Sequence, residues 1–256
     1  MFSTRTIELK SKEEIAIMRE AGAIVAAILV ILSQAAQAGV ATLELDKIAR
    51  AQLAQRNAKP AFLGYHGFPA ALCVSINSEV VHGIPSASRK LVNGDIVGLD
   101  FGCIYRGFYA DSAVTVLVGA VSPLARKLVS VTQQSLSKGI EAMQVGARLG
   151  DISYSVQRHV ESNGFSVVRE FVGHGIGRSL HEDPAVPNFG KAGTGMRLSP
   201  GVILAIEPMV NAGGPEVETL SDGWTAVTKD RSLSAHFEHT VALTERGPEI
   251  LTLGTD

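Results

Sequence analysis

The chain has 256 residues, 46% of them hydrophobic, with 23 Lys plus Arg against 25 Asp plus Glu and a formal net charge of -2. This composition can bury a sizeable core as one large domain or two small ones, and it excludes an intrinsically disordered chain. No Lys/Arg cluster marks a nucleic-acid partner, and Cys73 and Cys103, without C-x-x-C spacing, suggest neither a disulfide framework nor a thiolate zinc site, so a reducing cytoplasm fits best.

The first predicted element is a helix opened by Ser11, with Glu14 three residues later as a capping box. It runs into "AGAIVAAILVIL" at 21–32. Although this apolar run is followed by the small-residue text "SQAAQA", the twenty residues before it include Glu8, Glu13, Glu14 and Glu20, unlike the short basic start of a signal peptide. Twelve apolar residues are also too few to span a bilayer. A buried amphipathic helix is expected, without a membrane role.

A second helix follows at about 43–57, then a strand at "LCVSIN", then "VGLDFGCIYRGFYADSA" at 97–113, which reads as two paired strands carrying Asp100 and Asp111. A two-residue turn at Tyr105-Arg106, eased by Gly107, would set Asp100 directly opposite Asp111. Like charges there destabilise a sheet unless a proton or cation lies between them. Metal binding and two solvated aspartates on a polar face both remain open for this stretch alone.

The order of elements then recurs. Ser122-Pro123 opens a helix to about 143, Asp151 caps another ending at Asn163-Gly164, "FSVVREF" reads as a strand, and β-rich text fills 202–244. "LVNGDIVGLDFG" at 91–102 matches "LSPGVILAIEPM" at 198–209, aligning Asp100 with Glu207, and "VHGIP" at 81–85 matches "GHGIG" at 173–177, aligning His82 with His174. Two halves of similar design, at about 11–120 and 121–252, are expected within one catalytic domain spanning 1–256.

Glu238, in "SAHFEHTVAL", takes the part in the second half that Asp111 takes in the first. A turn at Asp222-Gly223, a favoured hairpin dipeptide, would set Glu207 across from Glu238. Asp100, Asp111, Glu207 and Glu238 together balance two divalent cations, since glutamates in apolar text are costly if buried alone. His174, between Gly173 and Gly175, is the natural fifth ligand, and the oxygen-rich set favours Mn, Fe or Co over a thiolate-type zinc site.

A histidine in isolation is more often structural than catalytic. His82, before Gly-Ile-Pro, and His181 lie in Gly- or Pro-rich loop text, and the residues alone leave both readings open. His66, His236 and His239 read as structural or surface residues. "HFE" at 236–238 also fits the H-x-E part of a mononuclear iron triad, an oxygenase chemistry that would leave Asp100 and Asp111 unexplained.

With these motifs assembled, the chain resembles the type I methionine aminopeptidases, in their bacterial form without an N-terminal zinc-binding extension. The likeness runs from "SKEEIAIMREAG" through "GYHGFP", "VSINSEVVHGIP", "GHGIGRSLHEDP" and "IEPM" to "VTKDRSLSAHFEHTVALTERGPEILT". It implies an α/β (α+β) pita-bread fold of duplicated halves with pseudo-two-fold symmetry around a dinuclear metal site. It also implies removal of the N-terminal methionine from nascent polypeptides whose second residue is small, by hydroxide activated between the metals.

By that resemblance Asp111 and Glu238 bridge two divalent ions (Co, Mn, Fe or Zn), Asp100 chelates one, and His174 and Glu207 complete the other, with Glu207 also the proton shuttle. His82 and His181 contact substrate and stabilise the tetrahedral intermediate. Tyr65, Phe68, Cys73 and Trp224 line the methionine pocket, and the carbonyls of Asn77 and Ser234 help hold a monovalent cation. Phe62 and Leu180 depart from the family, Phe62 where many relatives carry something smaller and Leu180 where an aromatic is common. A cytoplasmic monomer without nucleic-acid specificity is implied, with transient ribosome association left open. A proline-directed peptidase of the same fold, or a non-catalytic peptide-binding relative, are the alternatives.

Overall fold

The computed structural model describes residues 7–254. In chain order the elements are α1 (Lys12–Ala35), α2 (Thr42–Gln55), β1 (Lys59–Pro60), β2 (Leu72–Ile76), β3 (Glu79–Val81), β4 (Ile96–Tyr105), β5 (Phe108–Leu117), α3 (Pro123–Ala142) and α4 (Leu149–Ser162). There follow β6 (Ser166–Val167), β7 (Gly173–Gly175), β8 (Glu182–Val186), β9 (Ile203–Ile206), β10 (Met209–Asn211), β11 (Val217–Thr219), β12 (Ala226–Thr228), β13 (Ser234–His236), β14 (Glu238–Thr244) and β15 (Gly247–Ile250).

Among the described residues the main sheet has nine strands in the order β1-β4-β5-β14-β9-β7-β8, with β2 also on β4 and β15 on β14. Two three-stranded sheets, β13-β10-β6 and β11-β12-β3, stand beside it. The set α1, α2, β2, β4, β5 of the first part therefore reappears as α3, α4, β7, β9, β14 in the second.

One face of the main sheet carries the core. Val97, Leu99, Phe101 and Cys103 of β4 pack with Val25, Ile28 and Leu32 of α1 and Leu45 and Leu53 of α2. Leu204 and Ile206 of β9 and Val241 and Leu243 of β14 pack with Leu128, Leu136 and Ile140 of α3 and Val156 of α4. Each such side chain contributes about 1.5–3 kcal/mol on burial. The alternate residues point to the other face, where the strands carry Asp100, Asp111 and Glu238.

α1 begins as its sequence dictates. Ser11 Oγ accepts from Glu14 N at 3.3 Å and the Glu14 carboxylate accepts from Ser11 N at 2.7 Å. By length and composition alone this helix could cross a bilayer, but half of its apolar window is buried inside the protein. Its inward stripe, Met18, Val25, Ile28 and Leu32, is 0% exposed.

Four sequence expectations need correction. The first concerns the β4–β5 hairpin: Asp100 pairs with Ala113 and Asp111 with Gly102, because the turn residues are Arg106 and Gly107, at φ 49° and 84°. A tight hairpin turn with positive φ at both central positions suits Gly107 and excludes the aromatic Tyr105. The shift of two residues preserves the face, so the aspartates are diagonal neighbours on one side.

Next, Asp151 is the third residue of α4 and not its cap, accepting from Arg148 N at 2.7 Å and from Gly193 N at 2.6 Å. The strand expected over "FSVVREF" is limited to Ser166–Val167 on β10. After it the chain turns so that Phe171 meets His82, ring centroids 5.5 Å apart, instead of continuing a ladder.

The matched histidines also change. Ser75 pairs with Gly98 on β4, and His174 pairs with Ala205 on β9, the residue aligned with Gly98 when Asp100 is aligned with Glu207. His174 therefore occupies the place of Ser75, and His82 and His181, each seven residues further on, are the matched pair.

The long second hairpin, by contrast, forms in the expected register. Ile206 pairs with His239, Met209 with His236 and Thr219 with Ala226, a single register carried through three sheets and interrupted around Pro208 and at 212–216. The turn is tied by Asp222, whose Oδ1 accepts from Trp224 N and Thr225 N, both at 2.9 Å.

Candidate active site

The sheet registers bring the acidic residues together in two adjacent rows. Asp100, Ala113 and Glu238 face one another across β4, β5 and β14, and Glu207 stands one residue beyond β9, beside the start of β14. In the next row Gly102, Asp111, Thr240, Ala205 and His174 follow across β4, β5, β14, β9 and β7. Gly173 and Gly175 let β7 approach, since a Cβ on either would lie 2.3 Å from a backbone oxygen of Ala205 or Asp183.

Asp111, His174 and Glu238 each offer a ligand atom within 4.8 Å of the others. His174 Nε2 lies 3.6 Å from Asp111 Oδ2 and 3.5 Å from Glu207 Oε1. Its Nδ1 is 2.9 Å from the Gly175 carbonyl, which can only accept, so Nδ1 donates there and Nε2 is the nitrogen turned to the carboxylates. The Thr240 hydroxyl donates to the Asp111 carbonyl at 2.8 Å and lies 3.1 Å from Asp111 Oδ1, which holds that residue in place.

Burial raises the acids against the opposing pull of the neighbouring imidazoles. Asp100 and Asp111 are pushed up to about 7 and Glu207 to about 8, foremost by desolvation, and neighbouring carboxylates push the same way on Asp100 and Glu207. Glu238 lies well above the carboxylate range for the same two reasons. Asp100 Oδ1 is buried without a hydrogen-bond partner among the described residues. Two buried carboxylates, two partly buried ones, an orphaned carboxylate oxygen and an imidazole nitrogen turned to them fit divalent metal.

Two further histidines flank the cluster. His82 sits just beyond β3 with φ 61°, a left-handed conformation that costs a non-glycine residue about 1–3 kcal/mol and persists only where its surroundings enforce it. Gly83 supplies the restraint, its N donating to Ser75 Oγ at 3.2 Å and its carbonyl accepting from Val74 N at 2.8 Å. Burial pulls His82 down to about 4, so its ring is neutral. His181 lies at the open rim with Nδ1 2.7 Å from the Tyr65 hydroxyl and its ring 4.3 Å from that of His174.

Beside the cluster lies a cavity of about 280 Å³, lined by Phe62, Tyr65, Phe68, Cys73, Leu180, Met209 and Trp224. Phe68 and Trp224 meet edge to face at 5.1 Å. Cys73 is directly opposite Asp100 on the β2–β4 ladder, and burial followed by the Asp100 charge holds its thiol well above the usual range, so it is a neutral part of the wall. Asn77 and Ser234 adjoin one another, Ser234 N donating to the Asn77 carbonyl at 2.8 Å.

Three residues of the site escaped the sequence reading. His236 is buried, with Nε2 3.5 Å from Glu207 Oε2. Its i, i+2 spacing from Glu238, which puts both on one face, was the available signal. Phe171 and Met209 line the cavity, and neither stands in a pattern that separates a pocket wall from core. His66 is an exposed residue of the cavity rim, and His239 is structural, its Nδ1 2.8 Å from Thr252 Oγ1.

Fold and site together define a metallopeptidase, and the chain belongs to metallopeptidase family M24, whose profile matches residues 16–245. Within that family it is similar to a methionine aminopeptidase of Clostridium perfringens, with 53% identity over 96% of this chain and 99% of the relative. The crystal structure of methionine aminopeptidase from Thermotoga maritima superposes with a TM-score of 0.96 at 46% identity, covering 97% of this chain and all of the other. The pita-bread architecture expected from the sequence is therefore present. A prolidase of Pyrococcus horikoshii shares the fold alone, with a TM-score of 0.77 at 20% identity.

Proposed function

We propose that this protein removes the N-terminal methionine from newly made polypeptides whose second residue is small. The observation that carries the reading is the meeting of Asp111, His174 and Glu238, whose ligand atoms lie within 4.8 Å of one another, with Asp100 and Glu207 in the lining of one largely apolar cavity. Asp100, Asp111, His174, Glu207 and Glu238 would hold two divalent ions, Mn, Fe, Co or Zn. When bound, these ions supply Lewis acidity that polarises a peptide carbonyl and lowers the pKa of water.

The chain's own groups do the rest. Phe62, Phe68, Cys73 and Trp224 take the methionine side chain and exclude water from the cleft, and the free α-amine is anchored at the Asp100 end of the cluster. His82 and His181, matched across the two halves and both neutral, aim N–H donors at the scissile amide and at the charge developing on its carbonyl oxygen. His82 is lowered by burial, and His181 is likewise lowered by burial and then by the neighbouring imidazoles. Glu207, at the rim of the cluster, moves the proton to the departing amine.

Both halves, at about 11–120 and 121–252, contribute to this one catalytic unit. The carbonyls of Asn77 and Ser234, two residues joined by the Ser234 N to Asn77 O hydrogen bond, would help hold a monovalent cation beside it. Two buried free cysteines support a cytoplasmic location, and the substrate is the N-terminus of a nascent chain, bound by a monomer.

Release of free methionine from Met-Ala-Ser, with no cleavage of N-acetyl-Met-Ala-Ser or of an Ala-Pro dipeptide, tests the assignment. Preferential hydrolysis of the proline substrate would replace it with the proline-directed alternative, and no hydrolysis of any of the three would favour a binding relative.

A further inference from the structure

The loop that carries His181 joins β7 to β8, and it is held from beneath by the N-terminal segment. Lys10 is nearly fully buried, its side chain 1% exposed, with Nζ 2.8 Å from Glu182 Oε2 and 3.2 Å from Glu8 Oε2. The other oxygen of Glu182 accepts from Arg178 N at 2.6 Å and from Ser179 N at 3.0 Å, so one carboxylate staples the loop and Lys10 neutralises it. The Lys10 stem runs so close under Gly177 that a Cβ there would lie 2.2 Å from Lys10 Cε. Lys10 N in turn donates to the Gly201 carbonyl at 2.8 Å, tying the segment to the turn before β9. Arg178 adds two exposed links to the same segment, to Glu8 at 3.2 Å and to Glu14.

We infer that Lys10 is a positioning residue for His181, acting through Glu182. Glu182 follows His181 directly, so the direction of the imidazole depends on a carboxylate whose buried oxygen has Lys10 as its cationic partner. Removing the ammonium leaves that oxygen near the Glu8 carboxylate and carbonyl with no cation between them, and the Glu182 carboxylate is drawn out toward water. The backbone N–H groups of Arg178 and Ser179 then lose their acceptor, and the loop that aims the ring relaxes. No metal ligand moves, because β7 keeps its pairing with β9 through His174 and Gly175.

The test has two arms, of which the kinetic one rests on the peptidase reading and the other does not. Lys10→Met should lower kcat/KM for Met-Ala-Ser on the order of tenfold to a hundredfold, the scale of a misplacement of about 1 Å, with Mn affinity unchanged. In a His181→Ala background the same substitution should cost nothing further. Glu182→Gln should behave like Lys10→Met, which covers the case in which Lys10→Met fails to fold. Independently of catalysis, the His181 ring nitrogens of metal-free 15N-histidine-labelled protein should show one tautomer in wild type and a mixture in Lys10→Met. An equal loss from Lys10→Met in the His181→Ala background, or unchanged ring signals, would overturn the inference. Wild-type protein that releases no methionine would instead sink the peptidase reading and leave the ring signals to decide the role of Lys10.

Discussion

The Tyr65 hydroxyl and His181 Nδ1 lie 2.7 Å apart, and burial raises the Tyr65 hydroxyl above its ordinary value so that it remains a donor. A hydroxyl that donates to Nδ1 would leave the proton of the neutral ring on Nε2, available to a substrate. Tyr65→Phe should therefore lower kcat/KM about tenfold, or ~1.4 kcal/mol, a typical single hydrogen bond, without changing metal affinity. Steady-state kinetics on Met-Ala-Ser beside calorimetric Mn titration checks this, and unchanged kinetics would remove Tyr65 from the mechanism.

Ligands and donors separate under mutation. His174→Ala should lose metal together with turnover, whereas His82→Ala and His181→Ala should keep metal and lose kcat/KM by about 2–4 kcal/mol each. Asp111, in the middle of the cluster, should tolerate Asn less well than Asp100 does. Metal loss in His82→Ala matching that in His174→Ala would contradict the roles given to the two residues.

The pH dependence follows from the acids. Asp100 and Asp111 are raised to about 7 and Glu207 to about 8 in the cation-free protein, above their unfolded values, so their contribution to stability is complete at acid pH. It falls as the unfolded carboxyls ionise above about 4, and is lost once pH has risen through 7–8. Protons and metal compete for the same oxygens, so metal affinity rises over that upper range. The gain in Tm on adding Mn should be larger at pH 8 than at pH 5.5, and the reverse order in thermal unfolding would contradict the electrostatics.

Pocket shape should govern substrate choice. Met-Ala and Met-Ser peptides should be cleaved and Met-Leu refused, since the second residue must pass the wall formed by His82 with Phe171 and Trp224. Phe62 fills the side of the cavity over Gly102, where a Cβ would lie 2.9 Å from its ring. Phe62→Ala should thus admit larger first residues with methionine turnover little changed. Equal rates on Met-Ala and Met-Leu would sink this account of selectivity.

Much of the site is legible in the sequence. Carboxylates in apolar strand text signalled a burial cost that needed a partner, and the capping box at Ser11 and the turn dipeptide Asp222-Gly223 are local signals that survive tertiary context. What was not legible depended on tertiary choices. The β4–β5 register turned on which pair of residues could take positive φ, and the equivalence of His82 with His181 on strand partners that short text matches misjudged. Phe171, His236 and Lys10 owe their places to chain reversals and long-range packing, and a buried lysine bonded to a glutamate 172 positions away leaves no periodic trace.

Turnover at the carboxylate cluster should depend on divalent metal. Its most direct test is the rate of methionine release from Met-Ala-Ser by protein stripped of metal to below one ion per hundred chains, before and after stoichiometric Mn is added. Release should be negligible before addition, and should recover with added Mn in wild type but not in His174→Ala. Full activity in the stripped protein, unaffected by added Mn, would contradict it.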